Sequence, residues 1–300
     1  MLSSYAVGIS PANKSILLMA TDSATETLLA EMPGSSDFTL ERAPAAETGL
    51  ARIEASDFAL VVLDISGLGS GGLALVHQIR QTRPALKVLV VTAETAPATV
   101  LYCLRKQVYG YFSKPFLRSA VQQFVRQALA SQAGLDEIEV LSGSPEWMKF
   151  RIRCRPETAD RLVQFMREMK IDLPPGERED LATAFHEVIM NAIEHGAQND
   201  PAKDLRIGYL RSSRSIIYYV QDPGPGFKLD ELQHAAISND PESPAGHLAI
   251  RTERGIRPGG FGILMARNLV DEMIYNEKGN EVILIKYLKE LPSQPEGLLP

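Results

Sequence analysis

The 300-residue chain has only two cysteines, Cys103 and Cys154, and a single tryptophan, Trp147. Thiols this far apart offer neither metal-ligand spacing nor a disulfide framework, so both read as small buried apolar residues. Trp147 reads as a core or hairpin residue. No apolar run approaches the ~18 residues that crossing a bilayer requires, which argues against a membrane partner. The opening MLSSYAVGISPANK has no charged region leading into an apolar stretch, so no secretory leader is expected and the expected location is cytoplasmic. A basic excess is missing as well. Lys and Arg total 31 against 37 Asp and Glu, a net charge of −6. That balance argues against nucleic acid as a partner, because phosphate neutralisation needs a basic surface. A small nucleotide pocket remains compatible with it.

What is present is an ordinary globular composition, 45% apolar and 23% charged. The length fits two domains. In the first half, short apolar runs alternate with amphipathic segments. SILLMA (15–20), DFALVVLD (57–64) and KVLVVTA (87–93) read as buried strands, YGYFSKPF (109–116) as a short strand and turn, and 38–40 as a weakly marked strand. Residues 25–31, LALVHQIRQTRP, 97–106 and 118–132 read as helices. Alternation of this kind predicts an α/β doubly wound parallel sheet covered on both faces. Residues 1–132 form this unit, 133–145 are the boundary linker, 146–291 the second domain, whose first strand is allowed from 137, and 292–300 a tail. In the second half the pattern changes. Residues 138–154 and 205–222 and the final MIYNEKGNEVILIKYL read as hairpins. Residues 158–170, 182–195 and 263–272 read as helices. Together they predict an α+β sandwich.

Chemistry-bearing side chains of the first half fall at strand ends, where an open α/β sheet places its site. Asp22 follows the first strand, Asp64 and Thr92 end two others, and Lys114 precedes Pro115 after the last. This ordered set resembles the receiver domains of response regulators, over about residues 14–132. The resemblance implies that Asp64 is the phosphoacceptor and that Asp22 and Asp64 share a divalent cation. Thr92 and Lys114 would bind the phosphoryl oxygens, and the Lys114–Pro115 bond would be cis. A hard cation and an ammonium suit the developing charge. Receivers carry two adjacent acids after the first strand. Here Thr21 stands in place of one, which leaves the cation site one carboxylate short.

The second half carries AFHEVIMNAIEHG (184–196), whose apolar positions Leu181, Phe185, Val188, Ile189 and Ala192 share one helix face. Glu187, Asn191 and His195 recur every four residues along another face. DPGPGF (222–227) follows a strand, and RPGGFG (257–262) leads into a helix, a setting that offers backbone N–H groups to phosphate. The ordered set resembles the Bergerat-type ATPases, and the NAIEHG run points to the anti-sigma-factor serine kinases. The resemblance implies ATP and Mg²⁺, with Asn191 as metal ligand and Asp222 accepting from the adenine amino group. Gly224 and Gly226 would let the backbone approach the nucleotide, Gly260 and Gly262 would cradle phosphate, and Glu187 would act as general base. Residues 228–258 would form a lid carrying Arg251, Arg254 and Arg257. His186 reads as a satisfied structural histidine.

Two functions follow from the resemblance. In one, the chain phosphorylates Ser or Thr of an anti-sigma antagonist-type partner, gated by Asp64 and an upstream phosphodonor kinase. In the other, it holds ATP and sequesters a sigma factor or another regulator without transfer. Glu187 favours the first, since binding alone needs no base. An autophosphorylating histidine kinase lacks its acceptor hairpin. Resemblance to both domain types also allows a homodimer.

Overall fold

A computed structural model describes residues 14–20, 24–32, 34, 37–66, 70–131, 137–169, 172–227 and 261–288. The chain divides into two compact units, taken here in turn.

In the first, strands β1 (Lys14–Met19), β2 (Phe38–Ala43), β3 (Leu60–Asp64), β4 (Lys87–Thr92) and β5 (Gly110–Ser113) form one parallel sheet in the order β2-β1-β3-β4-β5. The helices between and after them in the chain are α1 (Ala24–Ala30), α2 (Ala46–Ala55), α3 (Ser70–Thr82), α4 (Pro97–Arg105) and α5 (Arg118–Ala130), of which α4 clusters with the second unit. Every residue of β3 is buried, as its unbroken apolar run requires when both faces are covered. One face packs Leu28, Leu29, Val121, Phe124 and Val125 of α1 and α5 against Ile16, Leu18, Val62 and Phe112. The weakly marked strand at 38–40 is real and extends to Ala43. Only its end residues Phe38 and Ala43 are buried, which explains its faint signal. Helix α2 was not anticipated. Its apolar face is thin, with only Gly49 and Ile53 fully buried.

The second unit contains a six-stranded antiparallel sheet. Its strands are β6 (Ile138–Ser144), β7 (Trp147–Arg153), β8 (Asp204–Arg211), β9 (Ser215–Gln221), β10 (Glu272–Tyr275) and β11 (Glu281–Tyr287), ordered β10-β11-β9-β8-β7-β6. Strand β6 takes up most of the 133–145 segment read as linker, as the hairpin reading of 138–154 demands. Helices α6 (Pro156–Glu168), α7 (Pro175–Asn191) and α8 (Gly262–Leu269) complete the unit, with α6 and α8 both packed on α7. The inward residues of the sheet, among them Phe150, Ile207, Tyr218 and Leu284, are buried, and Phe185 of α7 stacks on Tyr218 with ring centroids 4.1 Å apart.

One expectation needs correcting. The helix does not run regularly to His195. Its α-helical part ends at Asn191, and Ala192–Gly196 form a π-helical turn. Glu187 and Asn191 keep their one-turn spacing, while His195 leaves that row. Single π turns inside helices recur at functional sites.

Both cysteines are buried and free, and burial pushes each thiol up to about 12. Among the described residues, no helix is long and apolar enough to cross a membrane.

Phe185 is fully buried and carries the helix–sheet contact. Phe185→Ala is expected to cost about 3–5 kcal/mol, the usual range for a buried aromatic truncated to alanine, read as a lower denaturation midpoint for the second unit.

Candidate functional site

At the end of β3, the Asp64 side chain is buried and ringed by donors. Lys114 Nζ lies 2.6 Å from Oδ2, Thr25 Oγ1 donates to the same oxygen at 3.2 Å, and the Ser66 backbone N–H donates to Oδ1 at 2.9 Å. The Lys114–Pro115 bond is cis. Thr92 is buried two residues from Glu94, whose backbone N–H donates to the Thr92 hydroxyl at 2.9 Å. Asp64 and Lys114 are thus brought together, while Thr92 is held by its own turn. Asp22 lies outside the described residues. Among the described residues no group of three or more potential metal ligands occurs. Thr25 was missed by sequence reading, since a threonine in the first turn of a helix gives no signal of pointing at a strand end.

The second site is a cleft of about 240 Å³ between the end of α7, the loop after β9, the start of α8 and the β10–β11 hairpin. Its walls include Asn191, His195, Gly196, Asp222, Gly226 and Gly262. The apolar side is supplied by Val188, Val220, Ile263 and Val282. Glu187 does not line the cleft itself but stands at its α8 edge. A Cβ added to Gly262 would lie 2.9 Å from Glu187 Oε2 and 3.3 Å from Asn191 Nδ2. Asn191 Nδ2 is buried with no hydrogen-bond partner among the described residues. A carboxamide left in that state at a cleft wall suits a ligand contact, because an unpaired buried polar group is otherwise costly.

Asp222 sits at the opposite end. Its Oδ1 accepts from the Gly224 N–H at 2.7 Å. Burial raises its carboxyl above the ordinary range, against the lowering effects of the Gly224 bond and Lys278. Backbone packs tightly around it. A Cβ on Gly196 would fall 2.3 Å from Asp222 Cγ, and one on Gly224 would fall 2.7 Å from both Asp222 Oδ1 and Gly196 O. Gly226 has φ +83°, and a Cβ there would meet Lys278 O at 1.9 Å. The β10–β11 turn grips this loop from the other side. Asn280 exchanges contacts with Asp222, accepting its N–H at 3.0 Å and donating from Nδ2 to its carbonyl at 3.3 Å, while Asn276 Oδ1 accepts from the N–H groups of Gly279, Asn280 and Glu281.

Gly196, Asn276 and Asn280 were not singled out from sequence. Gly196 closes the AFHEVIMNAIEHG run, and a glycine there was open to a close-approach reading. The asparagines sit in a hairpin turn, where such residues are common for local reasons. Gly260, Arg251, Arg254 and Arg257 lie outside the described residues, as does the 228–258 segment. His186 is satisfied, with Nε2 2.9 Å from Asp160 Oδ1. Trp147 is a hairpin residue at the start of β7 and is 40% exposed.

Residues 16–126 match the family model of the response regulator receiver domain, and residues 152–286 that of the histidine kinase-like ATPase domain. The chain therefore carries a receiver domain followed by a histidine kinase-like ATPase domain. The ATPase half is similar to proteins of the anti-sigma kinase type. It is similar to the serine-protein kinase RsbW of Oceanobacillus iheyensis, 29% identical over 113 residues, which are 37% of this chain and 66% of that protein. It is also similar to the anti-sigma F factor of Anoxybacillus flavithermus, 24% identical over 145 residues, 48% of this chain and 90% of the relative. The receiver half is similar to the photosynthetic apparatus regulatory protein RegA of Rhodobacter capsulatus, 30% identical over 103 residues, 34% of this chain and 56% of the relative. The chain thus spans just under two thirds of that RsbW and little more than half of RegA.

Because Gly196 has no room for a side chain beside Asp222, Gly196→Ala should displace either the π turn or the carboxylate. Titration with a fluorescent adenine nucleotide should show at least a ~10-fold loss of affinity, the ~1.4 kcal/mol equivalent of one displaced hydrogen-bonding group. Unchanged affinity would mean that Asp222 does not contact the ligand.

Proposed function

We propose that the chain is a signalling regulator whose ATPase half binds Mg-ATP and phosphorylates a serine or threonine of an anti-sigma antagonist-type protein, under control of phosphorylation at Asp64. The observation that carries this reading is the gathering of Glu187, Asn191, Asp222 and Gly262 around one cleft. The similarity to RsbW and to an anti-sigma F factor supports it.

Asp222 accepts from the adenine amino group, and its two glycine neighbours let the base reach it. The backbone N–H groups opening α8 bind phosphate oxygens, with Gly262 bare of a side chain where the phosphates approach. Asn191 would hold Mg²⁺, a hard ion that prefers oxygen ligands and would offset charge on the phosphates. Its unpartnered amide fits that assignment once the amide is turned to present its oxygen. Glu187 takes the proton from the acceptor hydroxyl. The hydroxyl oxygen forms a bond to the γ-phosphorus as the bond to the bridging oxygen breaks, and ADP leaves. Asp64, already bonded by Lys114, receives its phosphoryl group from a separate kinase.

Glu187→Gln should leave Mg-ATP affinity unchanged and reduce transfer from labelled ATP to an antagonist protein by ~10²-fold or more, the lower end of general-base effects. Asn191→Ala should instead abolish the Mg²⁺-dependent part of ATP affinity. Equal transfer by Glu187→Gln and wild type would overturn the assignment of Glu187 as base, and no transfer by the wild type would leave the sequestration reading, in which ATP is held and not spent.

For the receiver, a small-molecule phosphodonor such as acetyl phosphate should add one phosphoryl group to the wild type and none to Asp64→Asn, read by intact mass. Absence of the wild-type adduct would reduce the receiver to a docking domain.

A further inference from the structure

Thr25 stands where an apolar residue would be expected. Helix α1 buries Thr25, Leu28 and Leu29, the i, i+3, i+4 stripe of a helix packed on a core. Leu28 and Leu29 are its apolar members, and a valine would fill the Thr25 position with the same branched shape. Thr25 is only 1% exposed, so its hydroxyl cannot turn to water. A buried hydroxyl is costly unless it is bonded, and this one donates to Asp64 Oδ2 at 3.2 Å. Two other donors hold the same carboxylate, and they differ from Thr25 in reach. Lys114 Nζ, 2.6 Å from Oδ2, rides on a long flexible stem and can follow a new charge. The Ser66 N–H, 2.9 Å from Oδ1, is fixed in the backbone. Thr25 has one side-chain torsion, stiff because its Cβ is branched, on a helix whose Leu28 and Leu29 are locked in the core. Its hydroxyl therefore stays with the oxygen it bonds.

We propose that the Thr25 hydroxyl shortens the life of a phosphoryl group on Asp64, by stabilising the carboxylate that hydrolysis releases. This rests on the reading of Asp64 as the phosphoacceptor. Ionised Asp64 gives Thr25 a charged acceptor, and such hydrogen bonds are about twice as strong as neutral ones. In the aspartyl phosphate, Oδ2 is either the carbonyl or the bridging oxygen, and it is neutral in both. Thr25 keeps a partner, but a weaker one. In hydrolysis the oxygen of a water attacks the phosphorus and the bond from phosphorus to the Asp64 oxygen breaks. The bonding pair leaves with that oxygen as the carboxylate re-forms, and the protons of the water pass to inorganic phosphate and solvent. The transition state of phosphoryl transfer is loose, so the leaving oxygen already carries most of its charge. The stronger hydrogen bond is thus largely formed when the barrier is crossed, and hydrolysis is faster for it. Addition of the phosphoryl group passes through the same kind of transition state with the carboxylate still mostly charged, so the hydroxyl changes that rate little.

The test uses the full chain, phosphorylated with acetyl phosphate in the presence of Mg²⁺. The donor is then removed and loss of the adduct is followed by intact mass. Thr25→Val keeps the branched shape and removes the donor. It should lengthen the half-life of the adduct ~5-fold, the equivalent of the ~1 kcal/mol that separates a charge-assisted from a neutral hydrogen bond. Thr25→Ser returns the hydroxyl and should restore the wild-type half-life. The sign separates this role from mere packing, because a loosened pocket around Asp64 admits water and loses phosphate sooner. A Thr25→Val half-life equal to or shorter than that of wild type, or a Thr25→Ser half-life as long as that of Thr25→Val, would overturn the proposal and leave Asp64 as the acceptor. Absence of any adduct on the wild type would overturn the acceptor reading, and the role of Thr25 with it.

Discussion

The cleft depends on a backbone contact. Gly196 at the end of the π turn and Gly224 after β9 meet at the Asp222 carboxylate with no space for a Cβ at either position. That contact joins the end of the α7 segment to the end of a central strand. It also sets the length of the site. Glu187 and Asn191 lie at the end bordered by Gly262, and Asp222 at the other. A longer regular helix would carry Gly196 past the strand end. The π turn, with one extra residue in its hydrogen-bonded ring, lets the chain arrive beside Asp222 instead.

A second set of contacts keeps the loop from relaxing. Gly226 and Gly279 both take positive φ, and each approaches the other's segment too closely for a side chain. Asn276 bonds Asn280 within the β10–β11 turn, and Asn280 ties that turn to the backbone of Asp222. The carboxylate is therefore positioned by backbone on both sides. That is how a half-buried acid with a raised pKa can be kept in place with no cation bonded to it among the described residues. Asp64 shows the opposite arrangement. It is more deeply buried, yet Lys114 and two further donors bond it directly.

Much of this was legible in the sequence, for identifiable reasons. Strands β3 and β4 are unbroken apolar runs, and α7 has a clean apolar face, so periodicity alone found them. Asp64, Lys114, Asn191, Asp222 and Gly262 stood out as candidates because their motifs sit where elements change, which sequence marks with glycine, proline and charge. Strand β2 and helix α2 were faint or missed because their burial is partial. The π turn left no trace, since its residues are ordinary helix formers and only the neighbouring strand end dictates it. Thr25 and Asn280 act through tertiary contacts between segments distant in the chain, which spacing along one segment cannot reveal.

The donors around Asp64 bear on how such a site can switch. A carboxylate held by Lys114, a hydroxyl and a backbone N–H has its charge already balanced. A phosphoryl group there would bring three strong acceptor oxygens and a charge of about −1.5 to −2. The donors would not lose partners, since the new oxygens accept what the carboxylate gives up. The cost falls instead on the added negative charge in a buried place. Lys114 can offset only part of it, and it is itself only 27% exposed, so little water is at hand to help. The remainder has to be met by a cation or by movement of neighbouring groups. With Thr21 in place of an acid, the site has one carboxylate fewer to hold such a cation. If Asp64 is phosphorylated, movement would therefore carry a larger share of the response in this chain than in a receiver with two adjacent acids.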